Sequence, residues 1–83
     1  MSIQNSDYFI DITSEVCPMT FVKTKLAVER METGKIIEVR LKGSEPLHNV
    51  PRSLVELGHV VVDFQPEEGE SETGIHRLKI LKK

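Results

Sequence analysis

The stretch SEVCPMTFVKTKL, residues 14 to 26, holds the single cysteine of the chain, Cys17, directly before Pro18 and a run of helical periodicity. Proline suits the first helical position, where its missing N–H would have had no intrahelical partner, and this makes Cys17 the expected N-cap. Aligned peptide dipoles and the unpaired amides of a first turn favour negative charge, so a thiol there ionises more readily than a free one. The chemistry on offer is that of a thiolate nucleophile. The alternative is a small, buried and inert side chain, as isolated cysteines commonly are.

A second cysteine is missing, so a Cys-x-x-Cys redox cycle and an internal disulfide are both excluded, and the thiol points to a reducing, cytoplasmic setting. His48, His59 and His76 stand far apart with no metal-ligand spacing, so neither a metal nor another cofactor is expected. His76 reads as a satisfied, semi-buried histidine and His59 as structural. A lone thiol must pass whatever it carries to another molecule.

The helix that follows the cysteine has two faces. Phe21, Thr24, Val28 and Met31, with Ala27, form the core-facing stripe. Met19, Val22 and Leu26 lie roughly opposite and form a candidate docking patch beside the thiol. Against that stands the ordinary occurrence of single apolar residues on surfaces.

Around this helix the chain has the composition of a folded, globular protein: 83 residues, 39% hydrophobic and 29% charged. Residues 1–83 make one domain with a thin core, burying roughly 60% of the surface its unfolded form exposes. The net charge of −2 gives no general attraction to phosphate backbones, so nucleic acid is a disfavoured partner. No apolar run approaches the roughly 18 residues of a membrane span, and the N-terminus lacks the basic start and long apolar run of an export signal.

Tyr8 to Ile12 reads as a first strand, Pro18 to Glu32 as a helix ending at Thr33-Gly34, and Lys35 to Lys42 as an alternating strand. After a turn at Gly43, Ser44 and Glu45, a second helix opens at Pro46, with Leu47, Val50, Leu54 and Leu57 on its stripe. Pro51 predicts a kink or restart, and Gly58 ends the helix. Strands over His59–Phe64 and Ile75–Leu81, joined by a polar turn, should form a hairpin. The order β-α-β-α-β-β predicts a two-layer α/β sandwich, a four-stranded mixed sheet covered on one face by two helices. Glu67, Glu68, Glu70 and Glu72 read as a solvated, flexible turn. Arg40, Lys42, Arg77, Lys79, Lys82 and Lys83 would cluster on or near the open sheet face, available to an acidic partner or RNA.

Asp11-x-x-Ser14-x-x-Cys17-Pro18, Gly34, Ser44-Glu45-Pro46, Val50-Pro51, Gly58-His59 and the closing strand from Ile75 to Lys82 together resemble the TusA/SirA-like family of small sulfur-transfer proteins. The resemblance covers nearly the whole chain. It implies a fold similar to the C-terminal domain of bacterial translation initiation factor 3. It also implies that Cys17 carries a sulfane sulfur as a persulfide, taken from a donor such as a cysteine desulfurase or rhodanese and relayed to an acceptor protein. Thr20 and Ser14 stand where the family pattern has a proline and a glycine. With Cys17 as N-cap, Thr20 is the third helical residue and regains an amide that a proline lacks, so Pro18 and Thr20 are candidate supports of the anionic sulfur. Two other readings compete with the carrier: a non-catalytic interaction or regulatory module of the same fold, and a weak RNA-binding domain.

Overall fold

The computed structural model describes residues 6–16 and 19–83. Aromatic and β-branched residues build the strands β1 (Tyr8–Asp11) and β3 (Val60–Pro66), and alternation of inward apolar and outward polar types builds β2 (Ile36–Leu41) and β4 (His76–Leu81). The intervening 3.6-residue periodicity builds α1 (Met19–Arg30) and α2 (Ser44–Glu56). The sheet order is β1-β2-β4-β3, with β1 and β2 parallel and both pairings of β4 antiparallel. The last strand therefore lies inside the sheet, and the β3–β4 hairpin expected from the sequence is present.

One face of this mixed sheet is apolar. Ile37, Val39 and Leu41 of β2 and Leu78 and Ile80 of β4 are buried against Val28, Val50 and Leu54 of the helices. This is the predicted two-layer α/β arrangement. Thr20 and Thr24 of α1 are also buried, and the Thr24 hydroxyl is satisfied by donating to the Thr20 carbonyl at 2.8 Å. His76 joins the buried face, 2.9 Å from the Gly74 carbonyl through Nδ1, which as the donor carries the proton. Its ring centroid lies 5.3 Å from that of Phe64.

Four expectations need correction. The restart expected at Pro51 does not occur: the second helix runs as one element from Ser44 to Glu56. The fully buried Val50 and Leu54 on either side of the proline fasten both halves to the sheet, offsetting the lost backbone bond. That helix also opens two residues before Pro46, at a Gly43 whose φ of 101° suits glycine alone. Leu57, expected on the apolar stripe, instead caps the helix and is exposed. Finally, β3 runs on to Pro66 and carries a bulge between Val61 and Asp63, which a sequence read for strict alternation does not signal.

Candidate functional site

Cys17 and Pro18 lie outside the described residues. The anchoring of the chain that leads to them begins at the end of β1. The Ile12 side chain is buried and its amide donates to the Arg40 carbonyl on β2 at 2.9 Å. The Glu15 amide then donates to the Ile12 carbonyl at 3.0 Å, which closes a turn over Ile12–Glu15.

Asp11 organises that turn. Its Oδ1 accepts from the Thr13 amide at 2.9 Å and the Thr13 hydroxyl at 2.7 Å, while Oδ2 accepts from Arg40 Nη1 at 3.0 Å. The Thr13 bonds, with Arg40 adding to them, hold the Asp11 carboxyl down to about 2. Ser14, the departure from a family glycine, fits without strain, because among the described residues only glycines have positive φ.

On the far side of the Cys17-Pro18 pair, the amides of Met19 and Thr20 both donate to the Val16 carbonyl, at 2.8 and 3.2 Å. The Thr20 amide offered to the thiol by the sequence reading thus has a backbone partner in Val16, and the Thr20 side chain is 1% exposed. A further tie links Glu15 to Lys23 on α1 at 2.7 Å.

Of the three residues expected on a docking patch, Met19 and Leu26 are exposed at 42% and 44%, and Val22 is half-buried. Val16 is exposed at 73%, more than either. The helical wheel missed it because it precedes the helix. An open cleft of about 530 Å³ separates the Thr13–Val16 segment from the start of α2 at Gly43–Pro46, with Lys42 and Thr73 also lining it. The bond from the Gly43 amide to the Thr73 carbonyl, at 3.0 Å, brings the acidic β3–β4 loop to that margin.

The open sheet face differs from the basic surface expected. Arg40 is shared between Asp11 and Glu67, and Arg77 between Glu38 and Glu67, at 2.7 to 3.0 Å. Both guanidiniums are raised by these carboxylates, and Glu67 is held down to about 2 by Arg40 and Arg77. Lys82 turns away to the carbonyls of Glu29 and Met31. Two carboxylates of the supposedly free acidic loop are likewise engaged: Glu67 in this network, and Glu70 with the Ile75 amide at 3.0 Å. Alternating signs across the strands replace a patch of one sign.

Among the described residues, no group of three His, Cys, Asp or Glu side chains is arranged to hold a metal ion. Among the same residues, no helix is long and apolar enough to cross a membrane.

The described elements define a small two-layer α/β protein with a four-stranded mixed sheet. The family described as Sulfurtransferase TusA matches residues 8–82, and the chain belongs to that family. A candidate sulfur carrier protein of Archaeoglobus fulgidus is 41% identical over 66 residues, covering 80% of this chain and 74% of the relative. One from Thermotoga maritima is 36% identical over 67 residues, covering 81% and 84%. The candidate sulfur carrier YedF of Escherichia coli is 31% identical over 61 residues, covering 74% and 79%. In fold, the chain is similar to a SirA-like protein from Desulfitobacterium hafniense, with a TM-score of 0.70, 21% identity, and coverage of 89% of this chain and 95% of that one.

Proposed function

We propose that the protein is a sulfur carrier whose Cys17 thiolate takes a sulfane sulfur from a donor protein and relays it to an acceptor. The observation that carries the reading is the family match across residues 8–82, which spans the chain's only cysteine and the turn leading to it. In the first step the thiolate attacks the outer sulfur of a donor persulfide. A new S–S bond forms on Cys17, the donor's S–S bond breaks, and the donor leaves as a thiolate, so no external oxidant or reductant is consumed. An acceptor nucleophile then attacks that outer sulfur and Cys17 departs as the thiolate.

Pro18 fixes the start of the helix, and the helix N-terminus favours the anionic sulfur in both steps. Thr20 supports the site by tying the first turn of α1 back to Val16. Met19, Val22 and Leu26, with Val16, form the surface against which the donor, a cysteine desulfurase or rhodanese, and the acceptor dock. The carrier works in the cytoplasm.

Incubation with glutathione persulfide followed by intact-protein mass spectrometry tests the reading. A gain of one sulfur atom is expected on the wild type and none on Cys17→Ser. No gain from any sulfane donor would leave the interaction-module reading in its place.

A further inference from the structure

Asp11 uses both carboxylate oxygens in different directions: Oδ1 forward along the chain to the Thr13 amide and hydroxyl, Oδ2 sideways to Arg40 on β2. Arg40 stands opposite Asp11 in the parallel register and is itself held by Glu67, through Nε at 2.8 Å and Nη2 at 3.3 Å. The carboxylate is therefore fixed at both ends. Exposed ion pairs of this kind add little to stability, so the value of the arrangement lies in the geometry it sets.

That geometry concerns the segment carrying the thiol. Thr13 is separated from Cys17 by only Ser14, Glu15 and Val16, and each residue adds two soft dihedrals. Releasing Thr13 from Asp11 would loosen the start of the approach to Cys17, leaving the turn from Ile12 to Glu15 and the ties of Glu15 and Val16 to α1 to set its course alone. In-line attack on a persulfide needs its reacting atoms aligned, and misplacement by about 1 Å can cost on the order of a hundredfold in rate.

We propose that Asp11 is a positioning residue for sulfur transfer, acting through its Thr13 bonds on the segment that delivers Cys17. The inference rests on the carrier reading above. Asp11→Asn keeps an oxygen to accept from Thr13 but gives up the ion pair, whereas Asp11→Ala gives up both.

The test measures the rate of sulfur uptake by Cys17 from glutathione persulfide, with circular dichroism to verify folding. Asp11→Ala should be about tenfold slower or more, Asp11→Asn should recover most of the wild-type rate, and Thr13→Val should lie below wild type. Rescue by Asn distinguishes positioning from a charge effect. Asp11→Ala as fast as wild type, or Asp11→Asn as slow as Asp11→Ala, overturns the proposal. Should Asp11→Ala fail to fold, a Thr13→Val variant equal to wild type overturns it instead. A wild type that takes no sulfur defeats the carrier reading itself and the positioning role with it, whereas normal uptake by all variants defeats only the positioning role.

Discussion

The Thr20 amide donates to the Val16 carbonyl at 3.2 Å, closing a stretch of backbone whose intervening residues include Cys17 and Pro18. The two ends of that stretch differ sharply in environment, since Val16 is among the most exposed apolar residues and Thr20 is buried. Within four residues the chain thus passes from a solvent-exposed side chain to one rooted in the core.

The bond has a consequence for the start of α1. Thr20→Pro removes the amide and its bond to Val16 and should lower stability by about 3 kcal/mol, whereas Thr20→Val keeps the amide and should cost less. Urea unfolding measures both. A Thr20→Pro midpoint equal to that of the wild type would mean the bond does not hold the first turn.

Leu26 lies on α1 beyond Met19 on the exposed side and adds little to the core. Leu26→Glu should therefore change stability by no more than about 0.5 kcal/mol. Transfer from the physiological donor should slow, while uptake from glutathione persulfide stays unchanged. Unimpaired transfer from the donor protein would show that this surface does not dock it.

The carboxylates of Asp11 and Glu67 set an acid limit on the network. Both are held at about 2, below ordinary values of 3.8 and 4.5. Because the folded values are depressed, their contribution is fully present above the unfolded values and is lost as pH falls through the window from the ordinary values to about 2. Carboxyl chemical shifts should titrate there, and Arg40→Gln should move both midpoints upward. Midpoints unchanged by that substitution would mean the guanidinium is not what holds Glu67 down.

Leu78 lies fully buried on β4 between β2 and β3. Leu78→Ala should cost about 2 to 5 kcal/mol through lost burial and a residual cavity, a large fraction of the stability of so small a domain. Urea unfolding would register this as a lower midpoint with little change in slope. A cost under about 1 kcal/mol would mean that the helices collapse onto the vacated space.

Local pattern in the sequence determined the element types. Ile37, Val39 and Leu41 alternate, and Thr24, Val28 and Met31 recur at helical spacing, because a strand or helix must turn its apolar residues to one side. The Cys17-Pro18 motif likewise marked the candidate site without reference to any neighbour. Only the tertiary structure decided that β4 sits between β2 and β3, that Pro51 remains within one helix, and that Arg40 and Arg77 face carboxylates. It also joined Asp11 to Glu67 through Arg40, although these residues lie far apart along the chain. Such pairings depend on which strands become neighbours, and that choice is made by burial of the whole apolar face at once, a quantity no local window contains.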